Sequence, residues 1–272
     1  MIDIIYEIFS YPFMVKAIIS GLLISICSAL LGVVLVLKKY SMIGDGLSHV
    51  GFGALAVATA LNKEPIIVSI PIVVIVSFFL LKISENRKIK GDSAIALIST
   101  SSLAIGIMIL SMTTGMNTDV SNYLFGSILG LTKVDVILTI ILSIFVIIIF
   151  VLFYNKIFAI TFDENFSKAT GINVNLYNII IAFLTSLIIV LGMRTMGSLL
   201  ISSLMIFPTL TSMRVFKSFK AVVINSLIIS IICFLVGIFI SYIYDIPTGA
   251  NIAIINVIAF LIYYIIGLIL KK

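Results

Sequence analysis

The chain has 272 residues, 62% of them hydrophobic and 10% charged, with a mean hydropathy of +1.34. Globular domains carry roughly 25% charged residues, and no long polar stretch exists here in which a soluble catalytic domain could sit. The net charge of +6 is divided into short Lys/Arg clusters between apolar runs, which is the topogenic pattern of a membrane protein and not a nucleic-acid surface.

Apolar runs occur at 13–37, 44–61, 65–82, 92–113, 136–154, 175–193, 197–213, 219–243 and 251–270. Crossing a bilayer as a helix takes roughly 20 residues, and the alternation of an outer-membrane barrel is absent. The expected fold is an all-α polytopic membrane protein, one transmembrane domain over 1–272 with about nine transmembrane helices. The runs 44–61 and 197–213 are short and interrupted by glycine, as in tilted or broken helices; with one of them re-entrant the count is eight. The N-terminus, Met1-Ile-Asp-Ile-Ile-Tyr-Glu7, has no basic region or small-residue cleavage site, so no removable signal peptide is expected.

Nine alternating spans place thirteen of the seventeen Lys and Arg residues on one side, from Lys38 and Lys39 through Lys156, Lys168 and Arg214 to Lys272. Only Lys16, Lys63, Lys133 and Arg194 fall on the other. Basic loops stay in the cytoplasm, so the N-terminus is expected outside and the C-terminus inside. Arg194 reads as a side chain snorkelling to the outer boundary.

Two connecting segments stand out. Outside, Tyr123–Leu129 is amphiphilic enough for a short interfacial helix. Inside, 155–174 contains Thr161-Phe-Asp-Glu-Asn-Phe-Ser-Lys-Ala-Thr-Gly171. Thr161 or Asp163 is a possible cap, Glu164 and Lys168 are spaced as an i,i+4 pair, and Gly171 is placed to end the helix. Such a helix suits the docking of a soluble partner; a solvated connector is the plainer alternative.

The one histidine, His49, follows Asp45 by four residues in Ser41-Met-Ile-Gly-Asp-Gly-Leu-Ser-His49. On a helix both lie on one face, and both are costly in a bilayer unless they meet a partner, a cavity or an ion. Asp45 could cap the second span while His49 bonds a neighbouring helix. Alternatively, carboxylate and imidazole suit zinc or manganese. A transition metal takes about four ligands and one helix supplies two, so the metal reading requires a second copy of the chain about a two-fold axis. Cys27 and Cys233 lie within apolar runs and read as packing residues, as do Met193, Met196 and Met205. Pro208 is expected to kink its span. There is no Gly-x-x-x-x-Gly-Lys-Ser/Thr loop and no His-Glu-x-x-His pair, so the chain is not expected to be an enzyme.

Four segments, in order, resemble the integral membrane permeases of bacterial zinc and manganese ABC importers. They are Ser41–His49, Tyr123-Leu-Phe-Gly-Ser-Ile-Leu129, Phe162-Asp-Glu-Asn-Phe-Ser-Lys-Ala-Thr-Gly171 and Met196-Gly-Ser-Leu-Leu-Ile-Ser-Ser-Leu-Met-Ile-Phe-Pro208, with the Asp245-Ile-Pro-Thr-Gly249 turn before the last span. The resemblance implies a homodimer laid out like the vitamin B12 importer permease, in a bacterial cell membrane. It implies two cytosolic ATP-binding subunits and an extracytoplasmic metal-binding protein as partners. No permanently bound cofactor is implied, the divalent ion being cargo. Asp45 and His49 would contact the metal, and Phe162, Asp163, Glu164, Lys168 and Gly171 would belong to a coupling helix seated on the ATPase. The Tyr123–Leu129 wording favours zinc over manganese. Many family members have Pro-Gly shortly after the histidine where this chain reads Phe52-Gly53-Ala54, which leaves the local helix geometry open. The rival function is an ion- or proton-coupled secondary cation transporter, against which stand the lack of an evident inverted repeat and the docking segment.

Overall fold

The structure, a computed structural model, describes residues 10–84, 91–113 and 131–270. Within them every regular element is a helix: α1 Pro12–Leu37, α2 Ser41–Ala60, α3 Pro65–Ser84, α4 Gly91–Thr113, α5 Lys133–Leu152, α6 Tyr154–Phe162, α7 Glu164–Ala169, α8 Val174–Met196, α9 Ser198–Met213, α10 Phe219–Tyr244 and α11 Thr248–Ile269. Each expected apolar run coincides with a helix. By length and apolarity α1, α4, α5, α8, α10 and α11 suffice to cross a membrane, while Pro65–Leu80 and Ser198–Met213 are shorter apolar helices. The Tyr123–Leu129 segment lies outside the described residues.

The turns follow local chemistry. α1 ends in a Schellman motif in which the Tyr40 N–H donates to Leu35 O at 2.8 Å and the Lys39 N–H to Val36 O at 3.0 Å. Lys39 takes the left-handed position, φ 63°, usually held by glycine. Only two residues, Lys39 and Tyr40, therefore separate the C-cap Lys38 from α2. Gly197 alone joins α8 to α9, at φ 86° and ψ 160°, a conformation essentially reserved for glycine. Pro208 stands inside α9, which continues from Ser198 to Met213.

Packing places α1 and α9 at the centre. α1 touches α9, α10, α8 and α5, and α2 packs most closely on α4, then on α3, α9 and α8. Cys27 and Cys233 are free and buried, and Met193, Met196 and Met205 are buried in the apolar clusters, so their packing role holds. The outer faces are apolar instead: Leu97, Ile105 and Met108 on α4, Ile137, Ile141 and Ile148 on α5, and Ile254, Leu261 and Ile265 on α11 are exposed. Helices that satisfy their own backbone and turn apolar side chains outward are what a lipid environment demands.

Candidate functional site

α2 starts earlier than the apolar run, at Ser41, with Tyr40 at the N-cap position. Asp45 therefore lies in the second turn and does not cap the helix; that expectation is corrected. The helix also runs unbroken through Phe52-Gly53-Ala54 to Ala60, which settles the local helix geometry after His49. His49 Nε2 stands 3.8 Å from Asp45 Oδ2, with side chains 24% and 40% exposed respectively. His49 Nδ1 is buried and, among the described residues, has no hydrogen-bond partner.

Neighbouring helices frame this face. On one flank Ser48 Oγ donates to Asp45 O at 2.7 Å and stands 3.3 Å from Ser202 Oγ on α9. On the other, glycines admit α4: a Cβ on Gly46 would meet Ile95 Cγ2 at 2.5 Å, and one on Gly53 would meet the Ser102 carbonyl oxygen at 2.8 Å. Three residues beyond His49, Phe52 is fully buried and its ring would lie 2.8 Å from a Cβ on Gly106 of α4. The half-exposed pair thus lies one turn from the point where Phe52 seals the seam between α2 and α4. Two ligand atoms about 2.1 Å from a tetrahedral metal are about 3.4 Å apart, so modest side-chain rotation brings Asp45 and His49 onto one ion. Among the described residues no group of three or more His, Cys, Asp and Glu converges on a metal position. The pair alone offers two ligand atoms.

The segment expected to dock a partner forms two short helices, α6 and α7. Between the two possible caps, the structure selects Asp163, whose Oδ1 accepts from the Phe166 N–H at 2.9 Å. Thr161 instead donates its hydroxyl to Ile157 O at 2.6 Å, back along α6. Gly171, at φ 83°, terminates α7 in a Schellman motif: its N–H donates to Lys168 O at 3.1 Å and that of Ile172 to Ser167 O at 2.9 Å. Phe162 and Phe166 are 58% and 63% exposed, an apolar knob at the tip of the segment, with Phe162 braced against Phe158 and Phe219.

Glu164 does not form the expected pair with Lys168. Its carboxylate meets Lys38 Nζ at 2.7 Å, and Asn178 on α8 completes the contact. Lys38 Nζ donates to Asn178 Oδ1 at 2.6 Å, and Asn178 Nδ2 donates to Glu164 Oε1 at 3.4 Å. Burial raises the cost of ionising Glu164, but the Lys38 hydrogen bond and charge, with Asn178 and the more distant Lys168, outweigh it and hold the carboxyl below its ordinary value.

A second polar pair was also illegible in the sequence. Arg194 does not snorkel; its Nε donates to Asp135 Oδ1 at 3.2 Å, with side chains 20% and 5% exposed. Asp135 is the third residue of α5 and closes a capping box with Thr132, accepting from the Thr132 N–H at 3.1 Å and hydroxyl at 2.8 Å. These residues line a cleft of roughly 390 Å³ together with Glu64.

Comparison with known proteins follows the same lines. A manganese transport system membrane protein of Halalkalibacterium halodurans is 27% identical over 249 residues, 92% of this chain and 85% of that protein. The high-affinity zinc uptake system membrane protein of Haemophilus influenzae is 27% identical over 252 residues, 93% of this chain and 97% of that one. Among solved structures, PsaBC from Streptococcus pneumoniae in complex with Fab superposes with a TM-score of 0.87 at 27% identity, covering 97% of this chain and 95% of that one. Manganese and zinc relatives stand at equal identity, so the zinc preference drawn from Tyr123–Leu129 has no support. The model of the ABC 3 transport family matches residues 10–267, and the chain, a multi-pass cell-membrane protein, belongs to that family of metal ABC transporter permeases.

Proposed function

We propose that this chain is the permease subunit of an ATP-driven importer that brings a divalent transition metal ion, manganese or zinc, into the cytoplasm. The observation that carries the reading is the Asp45/His49 pair on one face of α2, 3.8 Å apart and partly exposed, on a helix packed between α4 and α9. Two such pairs across a two-fold axis supply the four nitrogen and oxygen ligands that manganese or zinc accepts. Incomplete coordination by one copy suits a path, because an ion held too tightly would not leave. The assembly is a homodimer with two cytosolic ATP-binding subunits and an extracytoplasmic metal-binding protein that delivers the ion. In this reading α2, α3 and α9 cross the bilayer together with the six longer apolar helices, with the N-terminus outside and the C-terminus in the cytoplasm, as the distribution of basic residues suggests.

In this arrangement α7 is the coupling helix. The exposed Phe162 and Phe166 fill an apolar groove of the ATP-binding subunit, while the Asp163 cap and the Gly171 terminus fix the helix length. Closure of the ATP sites draws the two α7 helices together and rocks the halves of the dimer, alternating access to Asp45 and His49. Hydrolysis takes place on the partner, and this chain carries no reaction of its own.

The energy source tests the reading against a secondary transporter. Vesicles holding the permease and its co-purified ATP-binding partner should take up manganese or zinc on addition of ATP, with a proton-gradient uncoupler having no effect. Uptake that follows a proton gradient and ignores ATP depletion would overturn it.

A further inference from the structure

We propose that Lys38, Glu164 and Asn178 form a three-way polar joint through which movement of the docking helix α7 is passed to the metal-bearing helix α2. The inference rests on the importer reading above and adds to it the positioning residues that link its two halves.

The joint is built at an unusual place. Lys38 is the C-cap of α1, Glu164 is the first residue of α7, and Asn178 stands in the second turn of α8. Lys38 is 6% exposed at its side chain and Asn178 6% exposed overall. The ammonium finds its anion and its amide acceptor at 2.7 and 2.6 Å. A lysine buried this far is anchored by its partner, since leaving it unpaired carries a desolvation penalty. Glu164 is 34% exposed, so the pair is buried at its cation and open to water at its carboxylate, and the buried Lys38 is the member that needs its partners.

The link onward to the metal pair is short. Lys39 and Tyr40, locked by the Schellman bonds to Val36 and Leu35, are the only residues between Lys38 and Ser41, where α2 begins. Asp45 follows one turn later. One ion pair and seven residues of chain thus connect the docking helix to the first metal ligand, and the connection has no flexible segment within it. α8 also packs directly on α2, where Asn178 lines a small cavity with Ile43 and Leu47, so the third member of the joint adjoins the metal-bearing helix as well.

The test uses Lys38→Met, which removes the ammonium, and the charge exchange Lys38→Glu/Glu164→Lys, which keeps a pair in reversed order. An amide both donates and accepts, so Asn178 serves either order. In reconstituted complex with the ATP-binding partner, Lys38→Met should still hydrolyse ATP but import about fivefold to tenfold less metal per ATP hydrolysed, and the exchange should restore most of the loss. Import per ATP at the wild-type level in Lys38→Met overturns the joint. So does an exchange variant as defective as the single one, or parallel loss of hydrolysis and import. Amide hydrogen exchange supplies a readout that does not need transport. Binding of the ATP-binding subunits should slow exchange at both 163–170 and 38–44 in the wild type, and at 163–170 alone in Lys38→Met. Slowing of both segments in both proteins would overturn the proposal even if the wild-type complex imported no metal, an outcome that would itself strike the importer reading and not the joint.

Discussion

Gly53→Ala tests the close approach of α2 and α4 that frames the Asp45/His49 pair. The added methyl would stand 2.8 Å from the Ser102 carbonyl oxygen and 3.4 Å from its carbon. An ordinary contact needs about 3.3 Å, and backbone cannot rotate away, so α4 must retreat by about half an ångström. Across the seam Gly106 is just as confined, a Cβ there lying 3.1 Å from Gly53 Cα, which blocks sideways relief. Overpacking costs about 1–3 kcal/mol, and a backbone clash belongs at the upper end. Alanine recovers about 1 kcal/mol of helix propensity, leaving a net loss of about 1–2 kcal/mol. That corresponds to a fall in melting temperature of about 3–6 °C, using the scaling for large domains. Gly51→Ala on the same helix is the control, because its nearest neighbour at 2.8 Å is the terminal methyl of Met193, a flexible end that can turn aside. Thermal unfolding of the detergent-purified protein compares the two directly. Equal melting temperatures for Gly53→Ala and Gly51→Ala would refute the reasoning.

Further expectations concern the two ion pairs. The Glu164 carboxyl is held below its ordinary value, so its contribution is complete above the unfolded carboxylate pKa, about 4.3, and fades as pH falls through the lower folded value. The wild type should therefore melt above Glu164→Gln by an amount equivalent to about 1 kcal/mol that is constant from pH 6 to 8 and closes below about pH 4; a gap unchanged at pH 3 would contradict this. Arg194→Met leaves Asp135, whose side chain is 5% exposed, with Thr132 as its remaining partner and should cost about 2–3 kcal/mol. The double variant Arg194→Met/Asp135→Asn should recover part of that loss in the same unfolding measurement, and a double variant no more stable than the single one would count against the pair. Gly171→Ala meets no atom within 4 Å but must adopt φ 83°, so strain alone should lower stability by about 1 kcal/mol, seen as a small fall in melting temperature.

What could be read in the sequence was whatever depends on neighbours along the chain. Helical periodicity put Asp45 and His49 on one face, and Asp163 and Gly171 were recognisable as cap and terminator because those motifs close within six or seven residues. The polar partners were not recognisable, since they come from distant chain. Lys38 reaches Glu164 across four intervening spans, and the local i,i+4 spacing of Glu164 and Lys168 suggested the wrong partner. Arg194 reads as a snorkelling side chain because nothing near it in sequence is acidic, and its partner Asp135 reads as an ordinary loop residue. Asp45 was assigned a possible capping role because the run of apolar residues begins at Gly44; polar Ser41 belongs to the helix even though it adds nothing to the apolar signal. The glycines of α2 point to close packing, but only the structure shows that Gly46 and Gly53 admit α4 while Gly44 faces Met205 of α9 and Gly51 faces Met193 of α8.

The most direct test of the central claim is uptake of manganese and zinc, each measured with ATP, by vesicles carrying His49→Ala permease beside the wild type. Among the described residues His49 Nδ1 has no hydrogen-bond partner and Nε2 only the 3.8 Å approach of Asp45, so the variant should fold and co-purify with its ATP-binding partner. The account predicts that removing one ligand from each copy lowers uptake of the transported metal by about tenfold or more. Uptake within about twofold of wild type, a difference worth less than 0.5 kcal/mol, would contradict it and remove Asp45 and His49 from the metal path.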